Sequence, residues 1–208
     1  METIAPEEKR LRDRLCRAAH HLWQDGQLPG VRGSVAVELH RRRYLITPAG
    51  RRRGDLHAAD LATVDLNGAD VRGGRTNPRQ FWPPHRLAFE HGMRQTPEDV
   101  RAGRGRAVTA TALSHCPRLL AFAVHAARKG STGVQLRGHE PLPVVDPHDE
   151  TALAATIAKC PVVLLPDVGV FASGAGLDDV VSQLEDASAA AALTLTLRQL
   201  GGPGGDAS

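Results

Sequence analysis

The chain has 208 residues, 41% of them hydrophobic and 24% charged, which is enough for one domain with a buried core and too apolar for compositional disorder. Aromatics make up only 3%, so the core has to come from Leu, Val, Ile and Ala. No stretch approaches the ~20 consecutive apolar residues of a membrane span, and the opening Met-Glu-Thr-Ile-Ala-Pro-Glu-Glu-Lys has no basic leader before an apolar run, which argues against a signal peptide.

Cys16, Cys116 and Cys160 are odd in number and far apart, which argues against a disulfide scaffold or a cysteine-built zinc site and for a reducing, cytoplasmic setting. The net charge is +3 with a pI near 9.1, and much of the positive charge is local. Arg41-Arg42-Arg43 and Arg51-Arg52-Arg53 bracket a short apolar segment. They read as a nucleic-acid patch or as two solvated strand ends with snorkelling side chains. The second reading is favoured, because acidic residues are abundant and seven aromatics, Phe, Trp and Tyr together, leave little for bases to stack on.

In chain order, residues 7–24 predict a helix, with Leu11, Leu15, Ala18, Ala19 and Leu22 on one face and Gly26, Pro29 and Gly30 as the stop. Val31 to Glu38 predicts a strand. Tyr44 to Thr47 predicts a second one, closed by Pro48-Ala49-Gly50. His57 to Val64 suggests a short helix, and Asp65 to Gly68 a strand end running into an Asn-Gly turn. Residues 69–84 are a Gly-, Arg- and Pro-rich loop, with Pro83-Pro84 just before or inside the first turn of a helix through Met93. Thr96 to Gly105 reads as a polar loop or short insertion, Ala107 to Ala112 as a strand, Pro117 to Arg128 as a helix and Val134 to Leu136 as a strand. Asp146 suits an N-cap, with Pro147 at the first position of a helix to about Lys159. Pro161 to Leu165 is a buried strand, Val168 to Ala172 its partner, and Leu177 to Leu200 the last helix. Residues 1–200 thus make one domain, and 201–208 a disordered tail.

The order of these segments resembles the class II aldolase/adducin head family. Tyr44-Leu45-Ile46-Thr47-Pro48-Ala49-Gly50 looks like that family's strand-turn ending in Ile-Thr-Pro-Ser/Thr-Gly. Gly33-Ser34-Val35-Ala36-Val37 resembles its Gly-Asn-x-Ser-x-Arg strand, and Leu61 to Gly68 its Asp-x-Val-x-Val-Asp-x-x-Gly stretch. Trp82 and His85 fit the helix after its Pro-Ser-Ser-Glu segment. Leu164 to Ala172 fits the strand pair that carries Asn-His-Gly. The resemblance spans residues 8–200 and implies an α/β fold of αβα type, with a central, mostly antiparallel sheet flanked by helices.

In that family a divalent metal, usually zinc, is held by two histidines of a His-x-His strand and one from the Asn-His-Gly turn, and a glutamate serves as acid/base. The ion leaves an open position and stabilises an enediolate. The resemblance places Thr109 and Thr111 at the strand ligands, Val168 at the third, and Phe81 at the glutamate. No shift of register restores a His-x-His, because the sequence contains none. The implied reading is a site with no metal and no cofactor. The sugar-phosphate pocket changes too: Gly33-Ser34 replaces Gly-Asn, Ala49 precedes Gly50, and Arg79 and Gln80 replace two serines. Arg79 retains a fork of donors for an anion.

The remaining candidates each carry a plain structural alternative. Thr109 and Thr111 share a strand face and form a hydrogen-bonding floor or simply fill space. His115 is a general base or a helix-start histidine. His85 and Asp167 are acid/base groups or, respectively, a structural histidine and a turn residue. Asp146, His148, Asp149 and Glu150 read as a helix cap before a metal cluster, and adjacent His115 and Cys116 make a poor nucleophile pair. The expected catalytic set is therefore Thr109, Thr111, His115, Asp167 and His85, with Gly33, Ser34, Gly50, Arg79 and Gln80 for binding.

The expected function is a metal-independent lyase, isomerase or cyclase on a repurposed scaffold. It acts on a small polar or anionic metabolite, in specialised biosynthesis. The resemblance adds a homo-oligomer, tetrameric in kind. Neither nucleic acid nor membrane is expected as a partner. The alternative is a non-catalytic homologue that binds a ligand or a protein.

Overall fold

The computed structural model describes residues 5–40, 42–71, 82–103 and 105–200. Its centre is a six-stranded sheet in the order β3-β2-β1-β4-β8-β7, built from β1 (Ser34–His40), β2 (Arg43–Ile46), β3 (Ala62–Val64), β4 (Ala110–Ser114), β7 (Val162–Leu165) and β8 (Gly169–Gly174). Every pairing in this sheet is antiparallel. β5 (Gly133–Val134) and β6 (Leu142–Pro143) form a small separate ribbon. The Asn67-Gly68 turn is present, with Gly68 at φ 76° and Asp65 Oδ1 accepting from Asn67 N and Ala69 N.

Alternation along the strands sends neighbouring side chains to opposite faces. Val35, Val37, Leu45, Ala110, Ala112, Leu164, Val170 and Ala172 pack in one core with α1 (Pro6–Gln24), α4 (Pro117–Arg128) and α6 (Leu177–Gln199). Ala36, Tyr44, Ile46, Leu113, Val163, Leu165 and Phe171 pack in the other with α2 (Trp82–Met93) and α5 (Glu150–Lys159). This is the expected αβα arrangement. No helix among the described residues is long and apolar enough to cross a membrane.

Several local expectations are corrected. The region 57–64 is not a helix: a single 3₁₀ turn (Ala58–Asp60) runs into β3, because Ala62, Thr63 and Val64 complete the sheet edge against Tyr44–Ile46. Thr96 to Gly105 is not merely loop. Thr96 Oγ1 accepts from Asp99 N and starts the short α3 (Pro97–Arg101). The cap of α5 is Asp149, which accepts from Ala152 N, while Asp146 only closes a turn by accepting from His148 N. Residues 1–4, most of the loop 69–84 and the tail 201–208 lie outside the described residues.

The reading of the arginine runs as solvated strand ends fails at Arg53, which is fully buried. Its guanidinium donates to four backbone carbonyls: Pro48 at 2.7 Å, Arg51 at 2.8 Å, Val31 at 3.2 Å and Gly33 at 2.5 Å. A planar fork of donors suits this task as an ammonium does not. Burial lowers its pKa to about 10, so the group stays charged at neutral pH. Arg12 and Arg106 work in the same way. Arg12 pairs with Glu8 at 2.8 Å and donates to Ala58 O, Leu61 O and Thr63 Oγ1, which fastens α1 to the β3 edge. Arg106 donates to Ser173 O and Ile157 O and fastens the entry to β4 against β8 and α5.

Candidate functional site

Position along β4 decides which candidates can meet. Ala110 lies opposite Gly174 and Ser114 opposite Val170. At ~3.3 Å per residue, Thr109 is roughly 20 Å along the sheet from the 167–169 turn, and Thr111 roughly 13 Å. The expected cluster of Thr109, Thr111, His115 and Asp167 therefore does not form. The end of β4 that reaches the turn is Leu113 to His115: a Cβ built on Gly169 would lie 2.5 Å from Ser114 O and 2.9 Å from Leu113 Cδ1. If the 167–169 turn stands where the family has Asn-His-Gly, the strand pair able to converge with it is Leu113 and His115, not Thr109 and Thr111. A metal needs its donors gathered at about 2 Å from one point. Among the described residues this corner offers one imidazole and the exposed Asp167 carboxylate beside two aliphatic side chains, Leu113 and Val168, and that donor set does not fit a three-histidine zinc site.

The signal that fixes this register was present in the chain. Pro117 sits at the first position of α4, so β4 has to end at Ser114. The reading of 107–112 as the strand places it too early by several residues.

Gly33 closes the corner from β1. Its φ is 75°, and an added Cβ would meet Leu28 Cδ2, Leu113 O at 2.5 Å and His115 Nδ1 at 3.5 Å. The Gly33→Ala variant therefore combines left-handed strain of about 1 kcal/mol or more with a backbone clash. The expected loss is about 2–4 kcal/mol in denaturant unfolding, large for one methyl group. Arg53 grips the Gly33 carbonyl, so the corner and the 48–51 turn move as one piece.

His115 follows β4 and precedes the first turn of α4. Its backbone N–H donates to Gln27 O at 2.8 Å. Its Nδ1 is buried and has no hydrogen-bond partner among the described residues. Burial lowers its pKa, with Arg32 and then Arg53 adding to the effect, so the ring is neutral at pH 7. Arg32 is exposed at the mouth of the corner and has no carboxylate within ion-pair distance among the described residues. Sequence reasoning missed it. Its adjacency to Gly33 was the available signal.

His85 is placed differently. The ring is fully buried on α2, with Nε2 2.7 Å from Ser34 Oγ and Nδ1 2.7 Å from Thr111 Oγ1. Both hydroxyls are buried as well, and the ring edge meets Phe171 at 5.6 Å between centroids. Ser34, Thr111 and His85 thus form a structural clip across β1, β4 and α2. As solvent-facing substrate or catalytic groups they are overturned, since each polar tip is spent inside the core. Burial lowers the His85 pKa to about 3. Between that value and the usual 6.5 the unfolded chain binds the proton and the native one does not, so stability falls as pH falls below about 6.5. The expected loss from this group is about 2–3 kcal/mol between about pH 6.5 and 4.5. Urea midpoints across that range measure it, and His85→Leu flattens the profile.

Thr109 Oγ1 donates to Ala175 O at 2.6 Å and lines a groove of about 460 Å³ with Met93, Pro97 and Val108, at the far end of the sheet from His115. Asp167 is exposed with φ 61°, a turn geometry that Asp tolerates. It lines a cleft of about 480 Å³ with Ser131, Asp146 and His148. Gly50 has φ 74° and open space around it. Arg79, Gln80 and Phe81 lie outside the described residues. All three cysteines are free thiols, and Cys116 Sγ lies 3.6 Å from Ser188 Oγ, with burial of the residue.

The comparisons agree with this geometry at the level of the fold. L-fuculose-1-phosphate aldolase from Thermus thermophilus superposes with a TM-score of 0.72 at 19% identity, covering 94% of this chain and 97% of that one. YgbL from Escherichia coli gives 0.69 at 20% identity, covering 91% and 90%. An aldolase II superfamily protein from Pseudomonas syringae gives 0.72 at 16% identity, covering 96% and 79%. No curated protein matches the sequence significantly. The sequence model of the class II aldolase and adducin N-terminal domain matches residues 13–195, and the chain belongs to that family.

Proposed function

We propose that this member of the class II aldolase family is an enzyme that works without the family's metal, by acid/base chemistry at His115 on a small polar or anionic metabolite. The observation that supports the reading is the imidazole of His115. Burial, and then Arg32 and Arg53, favour its neutral form, and its buried Nδ1, near Gly33 at the end of β4, has no hydrogen-bond partner among the described residues. His85, by contrast, has both nitrogens consumed. A neutral imidazole at pH 7 accepts a proton from carbon next to a carbonyl. The exposed guanidinium of Arg32 is the group that holds a carboxylate or phosphate of the substrate and the charge that develops on its oxygen. Lyase, isomerase and cyclase reactions share this first step.

The test is deuterium incorporation into pyruvate and into dihydroxyacetone phosphate in D₂O, followed by proton NMR in the presence of EDTA. Catalysed exchange that survives the chelator and is lost in His115→Gln supports the reading. Exchange that requires added metal contradicts it. Binding of these probes by wild type, with no exchange, favours the ligand-binding homologue instead.

A further inference from the structure

We infer that the C-terminal end of α1 and the facing turn of α6 form a surface site for a divalent transition-metal ion of the zinc kind, held by His21, Asp25 and Glu185. One ligand atom from each residue lies within 4.8 Å of the other two. His21 Nε2 is 2.6 Å from Glu185 Oε1 and 3.7 Å from Asp25 Oδ2. Donors bound at ~2.0–2.2 Å around a tetrahedral ion stand roughly 3.4 Å from one another, so these spacings bracket what the ion requires. His21 and Asp25 share a helix face by their four-residue spacing, and Glu185 comes from the packed neighbour α6.

Charge makes the arrangement more than a lone ion pair. One imidazole N–H can serve only one carboxylate, and Glu185 takes it, so Asp25 at 3.7 Å is left without that hydrogen bond. Asp25 is also the C-cap of α1, where the helix dipole disfavours an anion. Two carboxylates and a helix C-terminus around one imidazole favour a cation. Of the three ligands His21 alone lines an adjoining cleft of about 280 Å³, whose other charged walls are Arg14, Arg17 and Asp178, and this gives solvent access to the imidazole side of the site. This site uses none of the residues of the His115 corner and does not depend on the proposed enzyme reaction.

The experiment titrates the full-length protein with Zn²⁺, followed by calorimetry and thermal unfolding, and with Co²⁺, followed by visible absorption. His21→Asn and Glu185→Gln are compared with wild type. All three donors are partly exposed, so both variants are expected to fold with unchanged Tm in EDTA. The expected result is one ion per chain, a Tm raised by Zn²⁺, and affinity reduced more than about 10-fold in each variant, the scale at which even outer partners of a metal count. No saturable binding by wild type overturns the site, and so does binding that both variants retain.

Discussion

The Arg53→Met variant is expected to lose about 3–5 kcal/mol of unfolding free energy. The side chain is fully buried, and its four bonds end on backbone carbonyls of two separate segments, 31–33 and 48–51. A buried acceptor left unpaired costs about 1–3 kcal/mol. The carbonyls of Pro48 and Gly33 sit in the buried part of the cage, so water cannot replace the guanidinium there. Among the described residues no carboxylate pairs with Arg53, and removal of a desolvated cation returns part of the loss. The net falls below the sum of four broken bonds for that reason. Arg53→Lys keeps the charge but not the fork, and is expected to recover less than half. Hydrogen exchange at residues 30–34 should rise in both variants, because the edge of the His115 corner loses its anchor.

The second large effect is at His85. His85→Leu has a similar volume, so its cost comes from the Ser34 and Thr111 hydroxyls stranded in the core, about 3 kcal/mol in total. The explanation makes a sharper expectation than the single variant. Replacing all three groups, as Ser34→Ala, Thr111→Val and His85→Leu together, should be less destabilised than His85→Leu alone, because no buried polar atom is then unpaired. Chemical denaturation of the single and triple variants checks this. Additive losses would show that the three residues act independently.

Much of the fold was legible in the chain. The spacing of Leu15, Ala18, Ala19 and Leu22 marks α1, and all four are buried. Pro117 marks the start of α4, and the unbroken apolar run 162–165 marks an internal strand. These features are local, and period and turn chemistry report local structure directly. The site was read less well. Thr109 and Thr111 were placed by likeness of neighbouring residues, and a shift along a strand leaves the apolar pattern intact while moving a side chain many ångströms from its partner. Pro117 signals where β4 ends, and the pairing of Ser114 with Val170 then places His115, not Thr111, by the turn. Arg53 was hidden for another reason. A third consecutive arginine looks solvated, and nothing in its neighbours announces that two loops will close their carbonyls around it. Ser34, His85 and Thr111 are singled out in the sequence for binding or catalysis, and the structure instead ties them to one another inside the core. Their purpose differs because a polar group chosen for a site and one chosen to tie three elements together look alike in sequence.

The central claim of the proposed function is that His115, at the end of β4 beside the 167–169 turn, works as a neutral imidazole without a metal. The most direct measurement is a ¹⁵N–¹H spectrum of the histidine ring nitrogens through a Zn²⁺ titration, with the His115 signals assigned by His115→Gln. The account predicts a neutral ring at pH 7 whose nitrogens do not shift when zinc is added, even as the His21 signals respond. A zinc-induced shift at His115, at stoichiometric ion, would contradict it.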